Sequence, residues 1–294
     1  MKSKAAKSAI DIVVILLIFG IGQLIGGIIS AVLIELNGGS HSLYSSSYLV
    51  LTLLTANIVT ITLLLFSRYL LTRKKWLEKV DFIELMNPLR LRWLLAPLML
   101  IASFAGAIAS GCLANAWGVE NTLEEAMMGL AKNPTGILTI VFIGPFGEEL
   151  VFRHAILGGM LRRGVHPWVA IIISALLFGV IHLNPIQVFC ATALGIMLGI
   201  LYTKTQSLIP SLMYHIINNG ISVVGMILSE NQQDPTDEFF NTSVVLYSAA
   251  AISALICIPI YIYYWRKPGI VSYEPDKAHE PHEAHEPNEP NEPN

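Results

Sequence analysis

The sequence predicts an all-α fold: a multi-pass integral membrane bundle of about eight transmembrane helices with both termini cytoplasmic. Three observations carry that prediction. Hydrophobic residues make up 54% of the 294-residue chain, charged residues only 13%, and mean hydropathy is +0.60, whereas soluble domains run near a quarter charged. A chain so poor in charge cannot clothe a water-facing surface and has to be solvated by lipid. The apolar residues fall into runs near the roughly 20 residues that cross about 30 Å of hydrocarbon. Finally, Lys and Arg gather in alternate connecting segments, as the positive-inside rule requires.

The first run, 9–36, follows Lys2, Lys4 and Lys7 and imitates a signal peptide. It is too long for an h-region and no A-x-A cleavage site follows, so it reads as a retained first span. The second run is 48–71. Between it and the third, 93–117, the segment 76–92 mixes Trp76, Leu77, Val80 and Phe82 with Lys79, Asp81 and Glu84. That pattern fits an interfacial amphipathic helix, with a plain cytoplasmic loop as the alternative. These elements make an N-terminal unit, 1–133. A core unit, 134–228, holds runs at 135–160, 167–183, 186–203 and 208–228. The unit 229–267 joins an outer loop rich in Glu and Asp to a last run at 243–265. From Pro268 to the end the chain is Glu, Pro, His and Asn in low-complexity cadence, a composition that cannot bury enough surface to fold.

With a cytoplasmic N-terminus, sixteen of the eighteen Lys and Arg residues fall on the inner side. Lys132 faces outward and Arg153 lies within a span. The net charge of −3 leaves no basic excess for nucleic acid. Cys112, Cys190 and Cys257 are unclustered in apolar sequence, which is neither a disulfide framework nor a thiolate metal site. Lipid is the implied partner, and the loop pattern suits a bacterial plasma membrane. Oligomeric state cannot be read from these helices.

Charge inside a span costs roughly 2.5–3.5 kcal/mol per residue at a helix centre and marks a functional site by default. The fourth run carries GPFGEELVFRHAI, with Glu148, Glu149 and Arg153 near its middle. Glu149 and Arg153 are four apart and pair on one helix face. Glu148 lies about 100° round, with no partner on its own helix. Low dielectric disfavours the charged form of a lone carboxyl, the setting of a general base or a proton-shuttling acid. A charge network that only locks helices together is the competing reading.

The fifth run ends LLFGVIHLNP, with His182 one turn after Phe178, and the seventh reads SLMYHIINNG, with His215 and Asn219 on one face. A single intramembrane His or Asn is commonly helix-to-helix glue. Two His, one Asn and a Glu-Glu-Arg set on three helices point to chemistry. Counted at 1.5 Å per residue from the inner boundary, Glu148 lies about 18 Å deep, His182 about 22 Å and His215 about 10 Å. Convergence therefore requires tilted or irregular helices. His154, His166 and His41 read as bystanders, and Asp11 and Glu35 as boundary charges.

The ordered trio Glu148-Glu149-x-x-x-Arg153, Phe178-x-x-x-His182 and His215-x-x-x-Asn219 resembles the CPBP family. That family groups CAAX prenyl endopeptidases with bacteriocin-processing and self-immunity membrane proteins. Phe189, Gly195, Gly199 and Tyr202 match the Gly-spaced helix the family carries between the last two motifs. The likeness covers 134–221. It implies an eight-helix intramembrane endopeptidase acting on a membrane-associated peptide or protein. By motif, Glu148 would activate the attacking water and His182 would help hold it. His215 and Asn219 would stabilise the oxyanion, with Asn218 a competitor for that role, while Glu149 and Arg153 would organise the site. Desolvated bases and donors in low dielectric suit that chemistry.

The expected site is metal-free; zinc bound by Glu148, His182 and His215 is the alternative on ligand type. No H-E-x-x-H is present, and neither are the serine and aspartyl intramembrane signatures. Two non-proteolytic readings remain beside the endopeptidase. One is a non-catalytic partner, such as an immunity protein or regulator. The other is a proton-coupled transporter using the same groups as a relay, although the chain shows no inverted repeat.

Overall fold

The computed structural model describes residues 2–36, 46–73, 85–86, 101–102, 105–106, 117–118 and 123–230. It also describes 248, 251–252, 255–256, 258–260, 262–263 and 266 in the last apolar run. The expected spans 93–117 and 243–265 lie mostly outside the described residues. So do most of the segment 76–92, the acidic outer loop and the tail.

The described chain is helical, with no strand among its residues. In order the helices are α1 (Lys2–Leu36), α2 (Ser46–Arg73), α3 (Glu124–Ala131), α4 (Pro134–Arg162), α5 (Pro167–Val180), α6 (Pro185–Thr205) and α7 (Leu208–Glu230). Four segments are long and apolar enough to cross a membrane: Lys7–Leu36, Tyr48–Ser67, Pro134–Arg162 and Pro185–Thr205. Their bare apolar faces agree. On α1, Ile10, Val13, Leu17, Ile21, Leu24 and Ile28 are all exposed, a stripe that only lipid solvates without cost.

Local sequence sets the helix ends. Asn133 caps α4, its Oδ1 accepting from Thr135 N at 2.9 Å and Gly136 N at 3.3 Å, and Pro134 fills the first position. Asn184 caps α6 in the same manner through Ile186 N at 3.2 Å, ahead of Pro185. Gln206, with φ 51°, ends α6 in the left-handed region.

The fifth expected span, 167–183, ends early. Helix α5 has 14 residues, about 21 Å at 1.5 Å each, and stops at Val180. His182 N–H then bonds Gly179 O and Leu183 N–H bonds Val180 O, both across three residues. Leu183 turns left-handed, with φ 56°. The cause lies downstream, because the Asn184–Pro185 start of α6 forbids continuation. His182 therefore sits in a tight hairpin turn rather than on a helix.

Small residues let the helices approach closely. A Cβ on Gly26 would run into the Ala56 backbone of α2, and one on Gly195 would come within 3.0 Å of Ala175 on α5. The core lies where α4, α5 and α6 meet, around Phe152, Leu157, Ile171, Phe178, Leu198 and Tyr202. Phe19 of α1 reaches it edge-on to Phe152. Asp11, early in α1, pairs with Arg163, just past α4, so those two ends share one face of the bundle.

Candidate functional site

Helix α4 is not a regular α-helix. It holds two π-helical stretches, Thr139–Ile143 and Glu149–Leu157, on either side of a short α segment, Gly144–Glu148. Such wide turns inside α-helices are frequent at functional sites. Sequence explains the first one. Gly144 N–H reaches back five residues to Thr139 O, and the next residue, Pro145, has no N–H to give. Ile140 O is thereby left without a helical donor. Asn219 of α7 supplies one, its Nδ2 donating to Ile140 O at 3.0 Å. A proline on one helix thus fixes an asparagine on another.

The second π stretch carries Glu149 and Arg153. Both side chains are 0% exposed, and Arg153 Nη1 lies 3.1 Å from Glu149 Oε1. The guanidinium stacks on the Phe178 ring, its Cζ 4.2 Å from the ring centroid. Glu149 Oε1 is also 3.1 Å from His215 Nδ1, while His215 Nε2 lies 3.5 Å from Glu148 Oε2. His215 accordingly stands between the two carboxylates. Glu148 gains from another helix the partner that its own helix lacks. Its side chain retains 21% exposure, in contrast to the closed-off Glu149.

Phe178 is the hub of this arrangement. Its ring meets His182 edge-on at 5.1 Å and His215 at 5.5 Å between centroids. His182 Nδ1 contacts Phe178 O at 2.8 Å, which orients the ring and leaves Nε2 for other contacts.

Glu148, His182, His215 and Asn219 all line one cavity of about 470 Å³, together with Phe178 and Asn218. Glu149 and Arg153 do not line it; they lie behind its wall. Asn218 points its Nδ2 toward Asn219 Oδ1 at 3.4 Å. His154, expected as a bystander, is buried with Nδ1 at 3.4 Å from Tyr202 Oη, away from the glutamates. The spacing residues also find places: Gly199 packs on Ile171 and Phe189 meets Trp117 edge-on.

Sequence reasoning missed three carboxamides of the cavity wall. Gln23 of α1, Asn57 of α2 and Gln187 of α6 also line the cavity. Their signal was available: Gln23 and Asn57 are uncharged but strongly polar, near the middle of apolar runs, where only a partner or a cavity tolerates an amide. As for metal, no group of three or more His, Cys, Asp or Glu side chains among the described residues is placed to hold an ion. Glu148, His182 and His215, the ligands of the zinc alternative, all line the cavity, and His215 has a carboxylate near each ring nitrogen.

Residues 131–221 match the family model described as type II CAAX prenyl endopeptidase Rce1-like. The chain is 27% identical over 127 residues to YdiL of Bacillus subtilis, which is named as a membrane peptidase; the match takes in 42% of this chain and 52% of that one. It is also 27% identical over 116 residues to the membrane-embedded CAAX protease MroQ of Staphylococcus aureus, covering 38% of this chain and 47% of that one. The chain thus spans about half the length of the curated relatives it matches. No solved structure gives a significant match. The matched segment begins just before α4 and ends within α7, so it contains all three motifs that meet at the cavity. Over that core, this integral membrane protein is similar to the Rce1-like CAAX prenyl endopeptidases.

Proposed function

We propose that the protein is an intramembrane endopeptidase of CAAX-protease type that hydrolyses a peptide bond of a membrane-associated peptide or protein with a glutamate-activated water. The observation that carries the reading is the single cavity lined by Glu148, His182, His215 and Asn219. A general base, a second polar contact for water and two kinds of N–H donor stand round one space large enough for a peptide segment.

In this mechanism Glu148 and His182 hold the water. Glu148 takes its proton as the oxygen attacks the scissile carbonyl, and later returns that proton to the departing amine. The negative charge that develops on the carbonyl oxygen needs preorganised donors. Asn219 has two amide hydrogens, one committed to Ile140 O, which leaves the second for the oxyanion. His215 donates as well when both of its ring nitrogens carry hydrogen. Glu149 and Arg153 act by position: they fix the His215 ring and the π stretch beneath it. The steps use only these side chains and water, with no metal.

The same reading places the chain in a bacterial plasma membrane with eight spans and both termini cytoplasmic. The Asp11–Arg163 pair supports it, because an inner start for the first span and an inner end for the fourth put those residues on one side. The test is a comparison of peptides in membrane and secreted fractions from cells expressing wild type or Glu148→Ala at equal abundance. Peptides that appear only with wild type are expected. Identical profiles, with both forms rescuing a deletion phenotype, would refute proteolysis and leave a protein that works by contact.

A further inference from the structure

The segment that resembles the CAAX endopeptidases is 131–221, yet the cavity wall continues into α1 and α2, which lie wholly outside it. Two carboxamides project from that added wall, Gln23 and Asn57, and a third, Gln187, comes from the first turn of α6. Gln23 donates through Nε2 to Thr60 Oγ1 at 3.3 Å, and Asn57 donates through Nδ2 to Leu53 O, one turn back, at 2.8 Å. Each bond uses one of two amide hydrogens and none of the carbonyl lone pairs. The Gln187 side chain makes no hydrogen bond among the described residues. Asn57 also touches the catalytic segment: a Cβ on Gly147, the residue before Glu148, would lie 3.0 Å from Asn57 Oδ1. Its carboxamide is therefore held beside the backbone that carries the proposed base.

We propose that Gln23, Asn57 and Gln187 receive the main chain of an extended peptide substrate, holding it in the cavity beside Glu148. The inference rests on the endopeptidase reading above and deepens it. The physical need is plain. A peptide stretched for cleavage has given up its helical hydrogen bonds, and each N–H or C=O left unpaired in a membrane cavity forfeits a hydrogen bond that water would have supplied. A charged side chain would satisfy those groups only at a large desolvation cost. A carboxamide offers donor and acceptor together without net charge, so it can pair with main chain whatever the neighbouring side chains are. Helices α1 and α2 thereby become half of the substrate site rather than packing around it.

The test uses the full chain in proteoliposomes and a pool of synthetic fluorophore–quencher peptides, each with an apolar stretch of roughly 20 residues. The peptide cut by wild type and spared by Glu148→Ala is carried forward. Loss of contacts made equally in the ground and transition states raises KM and leaves kcat alone. Gln23→Leu and Asn57→Leu are each expected to raise KM about fivefold to tenfold, as the loss of one hydrogen bond does. Single N-methylation of the peptide's backbone amides should find positions that raise KM by a similar factor with wild type. At a matched position it should add nothing to the variant. Gln187→Leu, which breaks no bond within the protein, keeps the test open if either of the other variants fails to fold. Unchanged KM in the folded variants, or N-methyl effects equal in wild type and variants, would overturn the inference while Glu148-dependent cleavage still stood. Absence of any Glu148-dependent cleavage would overturn both readings.

Discussion

Glu149 and Arg153 form a buried ion pair, flanked by His215 on the carboxylate side and by Phe178 on the guanidinium side, so removing one partner tests whether the pair organises the site. The perturbation is Glu149→Gln, which keeps the side chain's size and deletes its charge. Arg153 is 0% exposed, and among the described residues none of its guanidinium nitrogens has a hydrogen-bond acceptor. Its Nη1 is held to Glu149 by charge at 3.1 Å without hydrogen-bond alignment. After substitution the guanidinium keeps the Phe178 face at 4.2 Å, a contact worth about 2 kcal/mol in such a setting, and a neutral amide oxygen in place of the carboxylate. Stranding a buried charge costs roughly 3–5 kcal/mol, and full burial admits no solvent relief, so the upper part of that range is expected. Glu148 is different. It is 21% exposed, opens on the cavity and has its His215 contact at 3.5 Å, so Glu148→Gln should change stability by about 1 kcal/mol or less. The double variant Glu149→Gln/Arg153→Met should recover most of the single loss, because it removes the stranded charge. Equilibrium unfolding in mixed micelles, followed by tryptophan fluorescence, gives all three values. Equal stability losses for Glu149→Gln and Glu148→Gln, or a double variant less stable than the single one, would refute the division between a structural and a working carboxylate.

Four further outcomes follow from the same geometry. Asn219→Ala strands Ile140 O opposite Pro145, so it should cost about 1–3 kcal/mol and lower kcat by roughly 10²-fold or more in the proteoliposome assay. Asn184→Ala removes the α6 cap for about 1 kcal/mol, and cleavage should fall beyond that loss because His182 sits two residues upstream. Gly26→Leu drives a side chain into the Ala56 backbone and should cost about 1–3 kcal/mol, with engineered cysteine pairs across α1 and α2 no longer crosslinking. Arg153→Lys should cost about 1–2 kcal/mol in unfolding, less than Arg153→Met, since an ammonium keeps a charge beside Glu149 but cannot lie flat on Phe178 as a guanidinium does.

How much of this was legible in the sequence depends on the range of the interaction. Composition alone dictated helices in lipid. The i, i+4 spacing dictated the Glu149–Arg153 pair, which the structure contains at 3.1 Å. Longer-range facts were not legible. Glu148 looked partnerless because its neighbour, His215, lies 67 residues on. His182 falls within the apolar run 167–183 because LLFGVIHL has no polar residue but the histidine; what ends the helix is the Asn184–Pro185 start of the next one. Gln23 and Asn57 were passed over because amides carry no charge, and no local rule says which face of α1 or α2 looks into a cavity.

On straight helices Glu148 would lie about 8 Å deeper in the membrane than His215. Yet the structure brings the Glu148 carboxylate within 3.5 Å of His215 Nε2. Part of the answer is α4 itself. Between Glu148 and the end of α4 near Arg162 lies the nine-residue π stretch Glu149–Leu157. A turn closed across five residues holds about one residue more than a turn closed across four, so nine residues advance by roughly 2–3 Å less than a regular helix would. The rest falls to the reach of the two side chains and to the placement of α4 against α7, which a count of backbone rise leaves out. The π stretch also turns the helix face, letting Glu148 open on the cavity while Glu149 and Arg153 face the packed core. Two adjacent glutamates thereby occupy unlike environments, one closed and one open. That separation is what the proposed chemistry requires, because a structural charge must stay fixed while a base must reach water. Returning α4 to regular α geometry by deleting one residue from 150–152 should leave an inserted, helical protein that no longer cleaves. Circular dichroism and the peptide assay together decide it, and retained cleavage would show that the π turn is incidental.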